Sequence, residues 1–187
     1  MWRIATKTSH SWIRTDASAW RRLRNKSMQN KLIKNGQLVD DQWQLLDAEI
    51  ESLPAGPVIV PLAYWQEHQQ ALAGREQLGI WLDSDQSPEL IADQLNNFDL
   101  IAINFPSFMD GRGFSYAREL RQTHNFKNEI RAIGSFIRDQ LFFLQRCGFD
   151  AFALDSSDSS VALASLQDFS NVYQAAIDQP QPMAKRR

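Results

Sequence analysis

The stretch of residues 105–118 concentrates the residue types that bind small anions. A guanidinium group holds an oxyanion through paired hydrogen bonds, and glycines just before a helix leave backbone N–H groups free to do the same. With one arginine from further along the chain, the candidate anion-binding residues are Asp110, Gly111, Arg112, Gly113, Ser115, Arg118 and Arg138. The same pattern also fits a tight turn in which Asp110 or Ser115 merely caps the following helix, and the sequence leaves both interpretations open.

Two arginines in the second half of the chain require acidic partners or a bound anion. Arg138 falls in the first turn of a predicted helix, where a cation opposes the helix dipole. Asp139, Asp110 or an anionic ligand would each compensate that charge. Arg131 lies inside a predicted strand, so we expect it to be partly buried and to pair with an acidic side chain.

The single cysteine, Cys147, limits the redox and metal chemistry that the chain can support. An internal disulfide needs a second thiol and an iron–sulfur cluster needs about four, so the chain holds no cluster of its own. Cys147 lies between an apolar helix and Phe149, a position typical of a packed thiol rather than of a nucleophile. The three histidines lack metal-ligand spacing, and there is no nucleotide-binding glycine motif and no nucleophile elbow. The sequence therefore predicts no metal site and identifies no cofactor.

The chain of 187 residues matches about one domain, and its charge is distributed unevenly. Residues 1–27 carry seven Lys and Arg residues and one Asp, which leaves 13 basic and 21 acidic residues among the other 160. We expect residues 1–27 to be a basic extension without fixed structure, residues 28–182 to be the domain, and residues 183–187 to be a basic tail. A transit peptide and an arm that binds nucleic acid or membranes are the alternatives for the extension. No apolar run approaches the roughly 18 residues that span a bilayer.

Strand-length apolar runs alternate with helical segments, and these elements must position the candidate residues. Asn35-Gly36 between two short apolar runs predicts a type I′ hairpin over residues 31–39. The predicted strands are 58–62, 78–82, 100–104, 130–133 and 149–154. Helices are predicted over 64–73, after Ser87, for about ten residues from Phe114, over 136–147, and along an apolar stripe over 162–176. The pattern predicts a single three-layer α/β domain with a mostly parallel sheet of about five strands and flanking helices, preceded by a small N-terminal β-hairpin. Because ligands bind at the carboxyl ends of parallel strands, the loop after the third of these strands is the expected site.

Several motifs taken together point to a known family. The motifs are Phe105-Pro106-Ser107-Phe108, Asp110-Gly111-Arg112-Gly113, Glu129-Ile130-Arg131-Ala132-Ile133-Gly134, Arg138-Asp139-Gln140-Leu141 and Arg146-Cys147-Gly148-Phe149-Asp150-Ala151-Phe152. With the Asn35-Gly36 hairpin they resemble, over about residues 32–182, the bacterial family named domain of unknown function 934. That family is typically encoded beside assimilatory sulfite reductase and is often labelled an oxidoreductase of sulfite reduction. It brings no established catalytic residue to any position of this sequence.

The resemblance implies a pathway, and the residues limit the role within that pathway. Sulfite reductase needs sirohaem and an iron–sulfur cluster, and this chain cannot hold the cluster by itself. We therefore expect a cytoplasmic accessory protein of assimilatory sulfite reduction that acts with sulfite reductase. Its ligand would be sulfite, a sulfonucleotide or the carboxylates of sirohaem, bound through the arginine-lined loop. The alternative is an enzyme, an oxidoreductase that acts on an anionic sulfur or phosphate compound, and we expect neither nucleic acid nor a membrane as a partner.

Overall fold

A computed structural model describes residues 31–47, 50, 52–154, 159–166 and 172–186. The extension predicted over residues 1–27 lies outside the described residues. The strands are β1 (Lys31–Lys34), β2 (Gln37–Asp40), β3 (Gln44–Leu45), β4 (Val58–Pro61), β5 (Leu78–Leu82), β6 (Leu100–Phe105), β7 (Glu129–Gly134) and β8 (Ala151–Phe152). They form one sheet of eight strands in the order β2-β1-β8-β7-β6-β5-β4-β3.

The sheet confirms the α/β class and is larger than the sequence indicates. Every neighbouring pair from β3 to β8 is parallel, and β4 to β8 are the strands that the apolar runs predict. β1 joins the sheet antiparallel to β8, with Ile33 opposite Phe152, so the hairpin is part of the sheet rather than an element that precedes it. β3 has two residues, too few for an alternating pattern to reveal it. The expectation of about five strands is therefore corrected to eight.

Helical segments connect the strands, and several differ in type or length from the predicted helices. They are α1 (Leu62–Glu67), α2 (Gln69–Leu72), α3 (Arg112–Gln122), α4 (Leu141–Cys147) and α5 (Ser159–Ser165), with 3-10 helices at Pro88–Asn97, Arg138–Gln140 and Met183–Lys185. The predicted helix over 64–73 is divided at His68, whose φ of −120° is not helical. Ser87 caps the next segment as expected, since its hydroxyl accepts a hydrogen bond from Glu89 N at 3.3 Å. None of the described helices is long and apolar enough to span a bilayer.

The C-terminal part of the chain departs most from the predicted helices. Within the apolar stripe over 162–176, α5 ends early, and residues 172–176 are not helical. The part of the stripe over 167–171 lies outside the described residues. Gln174 O accepts a hydrogen bond from Arg146 Nη2 of α4 at 2.8 Å, Tyr173 O accepts one from Met183 N, and Val172 O accepts one from Arg186 Nη2. In the predicted basic tail, residues 183–185 form a 3-10 turn. Hydrogen bonds to other parts of the chain therefore occupy the carbonyl groups of residues 172–174, where the periodicity predicts a helix.

The described helices pack on one face of the sheet. Alternate strand residues such as Ile80 and Ile101 share one hydrophobic core with buried helical residues such as Leu120 and Leu141. The opposite face carries a smaller cluster, which consists of Ile59, Leu100, Ala102 and Ile133 packed with Trp43, Trp81 and Ala153. The strand order never reverses between β3 and β8, so right-handed crossovers all fall on the same side. This arrangement differs from the expected helices on both faces.

A buried ion network on the opposite face joins the N-terminal segment to β7. Arg131 is 2% exposed, and its guanidinium donates to Glu129 Oε1 and to Asp41 Oδ2, each at 2.8 Å. Lys34 Nζ lies 2.6 Å from the second oxygen of Glu129. The expectation that Arg131 is buried and pairs with an acid is confirmed. The network fixes β1 and the residues after β2 against the centre of the sheet.

Candidate functional site

Three loops meet at the carboxyl edge of the sheet. They follow β5, β6 and β7, which are neighbouring parallel strands, so their carboxyl ends lie side by side. Polar groups from the first two loops contact each other, and Gln140 Nε2 reaches Phe108 O at 2.9 Å from the third. In parallel sheets this edge is where ligands bind. The predicted location of the site is therefore also the place where the structure gathers polar side chains.

Arg112 is the best-positioned cation at this edge. Its Nε and Nη2 donate to the two carboxylate oxygens of Asp110 at 3.0 and 2.7 Å, and Nη2 also donates to Ser84 Oγ at 2.9 Å. The Arg112 side chain is nevertheless 55% exposed. Its Nη1 donates no hydrogen bond to any described residue. The guanidinium is thus oriented by two loops and keeps one nitrogen free for a ligand.

Pairing stabilises the charged forms of both Asp110 and Arg112. Hydrogen bonding from Arg112 lowers the pKa of the Asp110 carboxyl to about 2, and Asp110 in turn raises the pKa of the Arg112 guanidinium. Asp110 Oδ1 also accepts from the backbone N–H of Arg112 at 3.2 Å, in the first turn of α3. Asp110 therefore binds the start of the helix, as one of the two interpretations predicts, and it also orients Arg112; binding of an anion stays a prediction.

Of the remaining predicted residues, Ser115 and Arg138 lie near this edge, whereas Arg118 does not. Arg138 pairs with Asp139 at 3.3 Å, and both side chains are largely exposed. Ser115 is exposed in the first turns of α3. Arg118 donates to Gln122 Oε1 at 2.9 Å on its own helix, and its charge acts on the Cys147 thiol at the far end of α4. The structure does not bring Arg118 to Arg112.

The two glycines beside Arg112 have different surroundings. A Cβ on Gly113 would lie 2.6 Å from Phe105 Cζ and 3.1 Å from Ile103 Cγ2, so this glycine permits close packing of α3 on β6. A Cβ on Gly111 would have nothing within 4 Å. Only Gly111 is therefore in an open position at the edge of the sheet.

The sequence did not indicate a second polar pair, Asp83 and Asn104, which adjoins Ser84, the partner of Arg112. Asp83 directly follows β5, and its Oδ1 accepts from Asn104 Nδ2 at 2.9 Å and from Ser84 N at 2.8 Å. Asn104 is 1% exposed, and its Oδ1 is buried without a hydrogen-bond partner among the described residues. A polar residue near the end of the apolar run 100–105, followed by a loop, is the signal that identifies Asn104. We call Asp83, Ser84, Asn104, Asp110 and Arg112 the edge cluster.

Gly134 brings the third loop close to the edge cluster. Its φ of +92° is left-handed, and a Cβ there would lie 2.3 Å from Asn104 Oδ1 and 2.5 Å from Phe105 O. The turn lets Ser135 N donate to Phe105 O at 2.6 Å. A side chain at position 134 would force these groups apart, because the positive φ and the lack of space both disfavour it.

Other features of the described residues offer less chemistry. Burial raises the pKa of the Cys147 thiol, which fits a packed residue rather than a nucleophile. Among the described residues no group of three or more His, Cys, Asp or Glu side chains could hold a metal ion. A groove of about 840 Å³, lined by Trp43, Gln69, Arg75, Gln94 and Asp99 among others, opens near the amino ends of β5 and β6. It is separate from the edge cluster.

Comparison with known proteins identifies a family. A family model described as bacterial protein of unknown function (DUF934) matches residues 79–184. No curated protein and no solved structure matches the chain. The matched span begins in β5 and contains the whole edge cluster, whereas β1 to β4 precede it.

Proposed function

We propose, from the premise that the chain belongs to the bacterial family DUF934, that it is a cytoplasmic accessory protein of assimilatory sulfite reduction. In this role it acts with sulfite reductase and binds an anionic ligand at the edge cluster. The resemblance described above supplies the pathway. The chemistry of the edge cluster supplies the reason for an anionic ligand.

The observation that carries the proposal is that the Arg112 guanidinium is both fixed in orientation and exposed. It is held in place by Asp110 and Ser84, so a ligand does not have to order it. It is also 55% exposed, with Nη1 free of described partners. An oxyanion bound at Nη1 would receive charge-assisted hydrogen bonds without displacing Asp110. Sulfite, a sulfonucleotide and the carboxylates of sirohaem all present such an oxygen.

Exposed apolar side chains beside the edge cluster support a role in docking. Phe108 is 54% exposed, Met109 is 81% exposed, and Ile137 on the next loop is 47% exposed. Gln140 holds the two loops together through Phe108 O. Contiguous apolar groups rimmed by charge are typical of protein–protein contacts, in which a few large side chains carry most of the binding energy. We infer that this surface contacts sulfite reductase and places the anion site against it.

Co-purification tests the partnership directly. The tagged full-length chain is recovered from cells that express the sulfite reduction pathway, and bound proteins are identified by mass spectrometry. We expect sulfite reductase with the unaltered chain and its loss with Met109→Asp. Tyr173→Asp is the matched control, because Tyr173 is 76% exposed but lies outside these loops. Absence of the reductase from the unaltered chain, or equal recovery with Met109→Asp, would overturn the partnership.

Growth of a deletion strain tests the pathway. If the protein serves the reduction step, loss of its gene impairs growth on sulfate and on sulfite, and cysteine restores growth. Restoration by the unaltered gene but not by Arg112→Gln would connect the phenotype to the edge cluster. Undiminished growth on all three sulfur sources contradicts the assignment to sulfite reduction.

A further inference from the structure

Ser84 joins a cationic and an anionic side chain at the carboxyl edge. Its hydroxyl accepts from Arg112 Nη2 at 2.9 Å, and its backbone N–H donates to Asp83 Oδ1 at 2.8 Å. The two charged groups therefore lie on either side of one residue.

The Asp83 carboxylate has no cationic partner among the described residues. Arg112 is paired with Asp110, and the hydrogen bonds that Asp83 accepts come from a neutral amide and a backbone N–H. Both of these bonds end on Oδ1, so Oδ2 accepts none from the described residues. Asp83 is only half-buried. It thus presents one oxygen and an uncompensated negative charge at the edge.

Asn104 fixes the direction in which that carboxylate points. A carboxylate only accepts hydrogen bonds, so the amide must turn its Nδ2 towards Asp83 and its Oδ1 away. This orientation has a cost, because Asn104 is 1% exposed and its Oδ1, beside Gly134, has no hydrogen-bond partner in the described part of the chain. Buried unsatisfied acceptors are rare in proteins and call for a specific reason. Holding Asp83 in place is such a reason, which makes Asn104 a positioning residue.

We propose that the ligand of the edge cluster is a zwitterion, whose anionic group binds Arg112 and whose ammonium group binds Asp83. The proposal rests on the anion site proposed above and adds the second half of the ligand. An ammonium group fits better than a neutral hydroxyl, because a half-buried carboxylate without a counter-ion gains most from a charged donor. Sulfite, a sulfonucleotide and the carboxylates of sirohaem carry no ammonium group, so each of them would occupy only the anionic half of the site.

A pair of probes that differ in one group tests the proposal. Ethanesulfonate carries the anion alone, and 2-aminoethanesulfonate carries the anion and an ammonium group. Calorimetric titration of the full-length protein at neutral pH should show that 2-aminoethanesulfonate binds more tightly by about tenfold, the effect of one charge-assisted hydrogen bond. This comparison uses the unaltered protein and so does not depend on the folding of any variant.

Variants assign the difference to particular residues. Asp83→Asn should remove the preference for 2-aminoethanesulfonate, so that the two probes bind this variant with equal affinity. Asn104→Ala should reduce the preference in the same way, since it frees the carboxylate that it positions. Asp93→Asn, which removes an exposed carboxylate outside the edge cluster, should retain the full preference. Circular dichroism confirms that each variant is folded.

The outcomes separate this proposal from the one on which it rests. Equal affinities of the unaltered protein for the two probes overturn the zwitterion and leave the anion site intact. A preference that survives in Asp83→Asn also overturns it. If neither probe binds, the anion site at Arg112 is wrong, and the zwitterion proposal fails with it.

Discussion

Arg131 and Asp41 are 90 positions apart in the chain, and their side chains meet at 2.8 Å on the face of the sheet that the described helices leave open. Arg131 is a strand residue, 2% exposed, and also binds Glu129. The contact attaches the segment after the hairpin to a central strand. It acts beside an apolar contact, because Trp43 of the same segment packs against the smaller cluster on that face.

Arg131→Met should destabilise the protein strongly, because it removes the buried cation from two partly buried carboxylates, of which Glu129 keeps Lys34 as a partner and Asp41 keeps no cation among the described residues. Removal of one member of a buried ion pair costs about 3–5 kcal/mol, and urea denaturation measures the change in the free energy of unfolding. Lys34→Met is the matched control at the exposed end of the network, where the Lys34 side chain is 41% exposed. It should cost less than about 1 kcal/mol. Equal costs for the two variants would show that the network does not hold the segment.

Gly36→Ala should weaken the hairpin through backbone strain alone. Gly36 has a φ of +71°, and a Cβ there would have nothing within 4 Å, so no steric clash contributes. The expected cost is about 1–2 kcal/mol, that of a left-handed conformation for a residue with a Cβ. Gly111→Ala is the comparison, because Gly111 is equally open but has a φ of −88°. Its effect on the unfolding midpoint should be neutral or slightly stabilising, and a loss as large as that of Gly36→Ala would contradict this explanation.

The Asp110 carboxyl should contribute stability that acid removes. Its pKa is about 2 in the folded protein against an ordinary 3.8, because Arg112 stabilises the charged form. A lowered folded-state pKa stabilises above the ordinary value, and this contribution is lost as the pH falls towards 2. Asp110→Asn should therefore unfold at lower urea than the unaltered protein at neutral pH, and the two midpoints should converge in acid. A difference that stays constant across this range would show that the ionised carboxylate is not responsible.

Arg112→Gln should weaken the binding of sulfite, and Arg118→Gln should not. The loss expected for Arg112→Gln is about tenfold or more, since it removes a charged donor from the site. Arg118 is on the same helix but bonds Gln122, so its substitution controls for net charge. Isothermal titration with sulfite, and with sulfate as a second anion, measures both affinities. Equal losses in the two variants would indicate attraction by net charge rather than a site.

Local signals predicted the parts of the fold that depend on few residues. Asn35 and Gly36 have φ values of 50° and 71°, as the Asn-Gly dipeptide between apolar runs indicates. The burial of Arg131 and its pairing with acids follow from its position within an apolar strand. The type of helix could not be predicted in the same way. The segment after Ser87 is a 3-10 helix, and its sequence pattern does not distinguish a 3-10 helix from an α-helix.

The parts that could not be predicted depend on how distant elements meet. Asp83 and Asn104 are 21 residues apart and contact each other only because β5 and β6 are neighbours in the sheet. Arg118 was predicted to contribute to the same anion site as Arg112, yet it bonds Gln122 further along the helix. Which face of a helix meets the rest of the protein is decided by packing, and the sequence pattern of a mostly polar helix leaves it undetermined.

The pairing of Ile33 with Phe152 has a consequence for synthesis on the ribosome. The hairpin is local and can form as soon as its own residues emerge, whereas its place in the sheet exists only after β8 has been translated. More than one hundred residues must therefore be made before the first two strands find their neighbour. Until then one edge of the hairpin remains unpaired and open to pairing with other chains. The buried ion network likewise cannot form before Arg131 has been translated.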